Sequence, residues 1–357
     1  MALFPLLRQR FAALVILAPV MLLGAAAPVL SQDGAEEEQK NWLTNFVQDR
    51  LSTPERQIRL SNIEGALGSN VAIREITIAD AEGVWLRVNN ARLNWNQGAL
   101  LLGRLEVRSL AAGSIEYLRN AVPSDQLDLP PPEAVPFSVP EFPVEIVIEE
   151  LAVPRVSFGE DVFGLASEVS LAGGFTLDDG NLDAQLDIVR LDGPGGTLDL
   201  DVAYSNETSS IELALNLVEP ENGVLANLLS IEGRPAVELN LTGSGPVAGL
   251  QTQLTLAANG QTALSGGAQV TQTGEGYNID LDVGGPLATL VAAPYRPFFG
   301  AESALSAEAL VRSEGGLSIS GLRLSGGQLD LQASARTTPD NFLEQLTLRA
   351  NIADPSG

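Results

Sequence analysis

The chain has 357 residues, 45 of them acidic and 20 basic, for a net charge of −25. Such a balance repels nucleic-acid phosphates, which need a basic surface. It has no Cys and no His, which excludes disulfides, thiolate chemistry, Ser-His and Cys-His nucleophile pairs, and the commonest transition-metal ligand.

Residues 1–32 read as an export segment. Arg8 and Arg10 precede Phe11 to Leu30, a stretch without charge. Its length just spans a hydrocarbon core of roughly 30 Å, and prolines such as Pro19 and Pro28 are tolerated in membrane segments. A cleaved signal peptide fits the same residues, so signal-anchor and signal peptide both stand. In either case the two arginines hold the N-terminus inside and the rest is exported.

Residues 33–55 suit an amphipathic helix. Glu36, Glu37 and Glu38 lie in its first turn, where the helix dipole favours negative charge. Trp42, Leu43, Phe46, Val47 and Leu51 follow at helical spacing. The expected role is packing on the sheet that follows. A membrane-surface helix would carry a basic polar face, and this one is acidic.

Residues 56–121 predict four strands, Gln57–Ile63, Val71–Ile78, Val84–Trp95 and Leu105–Leu118. Val84, Leu86 and Val88 share one face, then Ala91, Leu93 and Trp95 share the other. A bulge at Asn89–Asn90 would reconcile them. Residues 122–143 carry seven prolines, too many for a ladder or a helix. They form a linker or a surface strap.

From Val144 onward, strands are expected near 144–158, 165–177, 182–191, 197–204, 211–218, 236–242, 250–257, 262–273, 276–283, 303–312, 317–324, 328–336 and 343–352. Leu182 to Val218 shows the pattern best, with apolar and polar residues alternating for seven positions at a time. In a strand that alternation makes one aliphatic and one acidic face. Turn-forming breaks such as Asp192–Gly196 and Ser205–Ser210 imply antiparallel strands joined in sequence. Helical spacing interrupts the array at Val224, Leu225, Leu228 and Leu229, and again at Leu287, Leu290 and Val291. Leu346, Leu348, Ala350 and Ile352 still alternate at the end of residues 144–357, so a longer array is expected.

The motifs with chemical potential resolve into surface features. Leu191–Leu198, Leu264–Gly267 and Leu324–Leu329 are Gly-rich, but none has the Lys-Ser/Thr of a phosphate loop, and we read them as hairpin turns. Asp178–Asn181 and Gly196–Asp201 lack the ligand spacing of a calcium loop. Carboxylate pairs such as Asp199 and Asp201 recur along the array, whereas a catalytic dyad should occur once. No Gly-x-Ser-x-Gly elbow is present. The expectation is a non-enzyme with no catalytic residue, metal or cofactor.

The aliphatic face is the remaining candidate. A β-sandwich or closed barrel needs the same alternation. Two observations favour an elongated, open, curved antiparallel sheet, that is, a β-groove. The pattern runs beyond one sandwich without strand groups of fixed size. Its apolar face is nearly all Leu, Val, Ile and Ala, with few rings to key two sheets together. The expected lining is Leu182, Leu186, Leu198, Leu200, Val202, Leu213, Leu215, Leu217, Val237, Leu239, Leu241, Leu254, Leu256, Ile279 and Leu281. Asp183, Asp187, Asp199, Asp201, Glu212 and Asn216 should face solvent. Seventeen such strands about 4.8 Å apart would make a track of about 80 Å.

Gly65–Asp80, Gly83-Val-Trp-Leu-Arg87, Ala91-Arg-Leu-Asn-Trp95, Ala99–Arg108 and Pro294-Tyr-Arg-Pro-Phe-Phe-Gly300 carry a family resemblance. With these motifs the chain resembles the N-terminal part of the TamB family, the inner-membrane components of the translocation and assembly module. More widely it is similar to AsmA-type and bridge-like lipid transporters with repeating β-grooves. The likeness is most specific over residues 60–118 and marks structure rather than a catalytic site. It implies an inner-membrane anchor, a periplasmic β-groove and phospholipid as cargo. It also implies docking to the outer-membrane barrel TamA through a C-terminal region not found in this sequence. Assistance to outer-membrane protein (autotransporter) assembly and secretion is the alternative role it implies.

Overall fold

Alternating apolar and polar residues can bury one face of a strand and wet the other, and this chain does so almost throughout. The computed structural model describes residues 52, 56–65, 68–122, 138–339 and 342–353. The expected export segment and nearly all of the helix expected at 33–55 lie outside them, as does most of the Pro-rich stretch. Among the described residues no helix is long and apolar enough to cross a membrane.

The fold is mainly β, a single mixed sheet of eighteen strands with a few short helices. The strands are β1 (Gln57–Glu64), β2 (Asn70–Asp80), β3 (Gly83–Asn96), β4 (Arg104–Ala111), β5 (Ser114–Tyr117), β6 (Glu145–Phe158), β7 (Ser167–Asp178), β8 (Asn181–Arg190) and β9 (Thr197–Ser205). They continue as β10 (Ser210–Glu219), β11 (Val237–Pro246), β12 (Gln251–Ala258), β13 (Gln261–Thr273), β14 (Gly276–Gly285), β15 (Ser303–Arg312), β16 (Leu317–Ser325), β17 (Leu329–Thr337) and β18 (Leu343–Ile352). The helices are α1 (Gln97–Leu100), α2 (Glu160–Phe163), α3 (Val224–Leu228) and α4 (Arg296–Phe299).

Strands that follow one another in sequence pair from β1 to β18, except that β4 and β5 do not pair with each other and each lies between β3 and β6. The expectation of a wholly antiparallel sheet needs one correction. β4 and β5 both pair with β6 in parallel. The cause is the Pro-rich connection. A short hairpin reverses the chain, whereas the long link from Tyr117 to Glu145 returns it to the starting side before β6 begins.

The strand expected at Leu105–Leu118 is broken at Ala112–Gly113, giving β4 and β5 in one lane of the sheet. The break belongs to a line across the sheet. Asn62, Arg74, Asn90, Gly113 and Pro154 fall opposite one another in the registers, and each is skipped in the pairing. Asn62 (φ 48°) and Asn90 (φ 52°) are left-handed there, a conformation Asn tolerates better than most residues. No residue is inserted at Asn89–Asn90, so the expected bulge is instead a kink. It turns the apolar residues before and after Asn90 towards one core. That core holds Ile58, Ile63, Ile73, Ile76, Ile78, Trp85, Leu86, Val88, Val153 and Val156.

Asp80 fastens the point where the chain leaves β5. It accepts hydrogen bonds from Arg119 Nη1 (2.9 Å), Val122 N (2.8 Å) and Glu82 N (2.9 Å). The Arg119 hydrogen bond, aided by the two backbone donors, holds the Asp80 carboxyl well below the usual carboxylate range, against the opposing effect of burial. A depressed folded-state pKa stabilises the protein above the unfolded value of about 3.9 and loses that stabilisation as pH falls through the folded value. Asp80→Asn should therefore weaken the N-terminal core at pH 7. It should also flatten the acid dependence below about pH 4. Trp85 emission during urea unfolding at both pH values checks this, and an unchanged acid slope would contradict it.

Candidate functional site

Cross-strand partners share a face, so the registers reveal which side chains line up. One row runs Val71, Leu93, Leu110, Leu151, Gly173, Leu186, Leu200, Leu215 across β2 to β10. It continues through Leu241, Leu254, Gly266, Val283, Leu305, Leu324, Leu331 and Ala350 to β18. No polar side chain interrupts it.

All fifteen residues expected to line a groove lie on this face. Leu186, Leu200, Leu215, Leu241 and Leu254 occupy the row just described. Leu198, Leu217, Leu239 and Leu256 form the next row on one side. Val202, Leu213 and Leu281 fall in the next row on the other side, which also contains Ala184, Gly243, Thr252 and Ala268. Ile279 sits one row beyond, opposite Val270 and Ala309. The six polar residues expected on the opposite face are all exposed.

The two margins of the apolar face are covered. Along one, Val139 is buried with Ile146, Leu177 and Tyr204, and Phe142, Leu182 and Ile211 pack around them. Asn206 clamps the segment there, accepting from Val139 N (2.9 Å) and donating to Val139 O (2.8 Å). The described end of the Pro-rich stretch is thus a strap. Leu182 lies against it, not in the open centre of the face.

Along the other margin run three short inserts. α3 and Ile231 cover Val237 and Leu256, with Leu239, Leu264 and Leu290 around them. Asn227 Nδ2 donates to Phe163 O of α2 (3.1 Å). Ala293 N, just before α4, donates to Glu232 Oε2 (3.0 Å). The inserts therefore join into a rail. Val237 is 0% exposed and Leu256 6%, so both serve as rail foundation. Between strap and rail, Leu186, Leu200, Leu215, Leu241 and Leu254 stay half-buried. They are cross-strand partners in turn, and no second sheet covers them among the described residues.

A hollow of about 620 Å³ lies elsewhere. Asp183, Gln185, Asp201, Glu212 and Gln253 line it, which places it on the polar face over β8 to β12. A twisted sheet is saddle-shaped and hollows both faces along different diagonals. On the apolar side, strap and rail supply the walls.

Sequence reading missed Glu219. It is buried at 8% exposure and continues the parity of Ile211, Leu213, Leu215 and Leu217. Its carboxylate accepts from Val224 N (3.0 Å) and Leu225 N (2.7 Å), holding the first turn of α3. A charge at an apolar position of the alternation was the available signal. Arg190 and Asp192 pair at 2.8 Å, and Arg190 also donates to Asn222 O at the foot of the rail. Among the described residues, no group of acidic side chains could hold a metal ion.

Fold and site define a mainly β protein with one long mixed sheet, whose apolar face lies between two covered margins among the described residues. The chain matches no family model, no curated protein and no solved structure.

The two environments on one face predict different costs. Leu256→Ala should destabilise by about 2–5 kcal/mol, as for a packed core leucine. Leu215→Ala should cost less than about 1.5 kcal/mol, since much of its side chain already meets solvent. Urea midpoints of the two variants check the contrast, and equal losses would mean that Leu215 lies in a closed core.

Proposed function

We propose that this chain is a periplasmic lipid-transfer module that carries phospholipid acyl chains along its apolar face. The observation that carries the reading is the unbroken row Leu186–Leu200–Leu215–Leu241–Leu254, half-buried and without a covering layer among the described residues. An apolar surface this long normally ends up inside a protein or against a partner. Acyl chains supply the needed chemistry. Each methylene left in water costs about 0.8 kcal/mol, so a chain of about 16 carbons faces roughly 13 kcal/mol. A continuous aliphatic track removes most of that barrier while headgroups stay wet. β6 to β18 at about 4.8 Å per strand would give roughly 60 Å of track. The open, curved groove, the inner-membrane anchor and a TamA partner belong to this same proposal, by resemblance to the TamB family.

A second reading, by resemblance to the same family, is a scaffold for outer-membrane protein assembly that would work by strand addition. Phospholipid co-purifying with the chain, seen by mass spectrometry, favours the conduit.

The decisive variant is Leu215→Asp, with Asn216→Asp on the opposite face as control. A carboxylate among the leucines is costly to desolvate and draws in water, which breaks the track. The full chain carrying Leu215→Asp should stay folded and lose lipid transfer between vesicles, while Asn216→Asp retains it. Equal transfer by both, or unfolding of the first, defeats the conduit.

A further inference from the structure

The acidic charge of this chain is unevenly distributed. Residues 156–311, which span β7 to β14 and most of β15, hold 21 acidic side chains and three arginines. That is 18 of the chain's 25 net negative charges. The same residues build the rail and the leucine row from Leu186 to Leu254, and they hold the strap. Solubility alone would be served by charge placed anywhere. Here it gathers around the track.

The three arginines offset little of it. Arg190 pairs with Asp192 at 2.8 Å, and its side chain is 9% exposed. Arg234 and Arg296 are exposed, both on the rail.

Two arginines do not balance the margins. At the strap, Glu141, Asp178 and Glu207 are exposed, and residues 138–145, 178–181 and 205–210 contain no basic side chain. At the rail, Glu160, Glu221 and Glu232 are exposed. None of these six forms an ion pair among the described residues. Behind the floor lie the carboxylates of the polar face, with Asp187 directly opposite Asp199.

A phospholipid with its acyl chains on the leucine floor carries its headgroup at one margin or above the middle. Carboxylates outnumber arginines around each of those places, so the sign of the field does not depend on which one is used. A headgroup with net negative charge is repelled along the track. A zwitterionic one turns its ammonium toward the carboxylates and is not. A few uncompensated charges about 10 Å away amount to about a fivefold bias for a unit charge at low salt. The bias fades as the screening length falls from about 30 Å at 0.01 M to about 3 Å at 1 M.

We propose that the track selects by headgroup charge, admitting zwitterionic phospholipid and turning away phospholipid whose headgroup is net negative. The proposal rests on the conduit reading and names the class of cargo within it.

Transfer is measured with the full chain between vesicles of phosphatidylcholine, so that the membranes are the same in every run. A trace of phosphatidylethanolamine or phosphatidylglycerol carries a fluorophore on one acyl chain and keeps its native headgroup. Phosphatidylethanolamine should move about fivefold faster at about 0.01 M salt, and the ratio should approach one at about 1 M. Glu207→Lys combined with Glu221→Lys, one at each margin, should narrow the ratio at low salt. Glu64→Lys combined with Glu82→Lys makes the same change in net charge at β1 and the β2–β3 turn, and should leave the ratio as it is. Circular dichroism of each variant checks the fold. Equal rates at low salt, or faster phosphatidylglycerol, overturn the selection and leave the conduit standing. A ratio that ignores salt, or that narrows equally in both variants, overturns it too. Movement of neither lipid overturns the conduit, and the selection with it.

Discussion

Register is the constraint on which the rest of the structure depends. Side chains alternate with a period of two, so a slip of one residue in any pairing moves a whole strand's apolar set to the wet side. From β6 to β12 the pairings mostly keep apolar or small residues opposite one another on one face, and polar or small residues opposite one another on the other. Asp187 lies directly opposite Asp199, and Asn216 opposite Asn240. Like charges facing each other on neighbouring strands are unfavourable. A sheet that accepts this on its polar face draws its order from the apolar one. Its right pairing wins because the slipped alternatives would place leucines among carboxylates.

The apolar face is treated differently along its length. At the β1 end it is folded into a core by the line of kinks, and large rings gather there. Trp85 meets Tyr117 edge-on at 5.6 Å, Tyr117 lies 6.1 Å from Phe158, and Phe158 lies 5.0 Å from Phe163. Further along, the face is mostly aliphatic, with Phe175, Tyr204 and Tyr277 as its rings, and the buried clusters lie at its margins. Rings key layers together through specific geometry, whereas methyl-lined surface is adaptable.

Much of this was legible from the residues. Every expected strand from Gln57 to Ile352 has its counterpart, because alternation bounded by Gly, Asn and Asp is a local signal. The lining residues were legible for the same reason, since parity alone assigns them to a face. What stayed hidden is non-local. The parallel step at β6 depends on where the Pro-rich connection returns the chain, which composition does not encode. The burial of Val237 and Leu256 depends on α3 folding back over them, and neither residue differs in kind from Leu215. The kink at Asn90 was placed correctly but misread, because a reversal of parity looks the same whether a residue is inserted or one turns left-handed. The hollow on the polar face follows from twist accumulated over five strands, and no short segment carries that information.

The margins tie these observations together. A single-layer sheet with one apolar face tends to pack against another such face, giving a sandwich or an aggregate. Strap and rail oppose that outcome by standing proud of the leucine rows. A second flat sheet approaching the face would meet Val139 and Phe142 on one side and α3 on the other before reaching Leu215. Between the walls the rows run across the strands without a covering element among the described residues. The same few side chains, Asn206 on the strap and Glu219 and Asn227 on the rail, hold both walls in place.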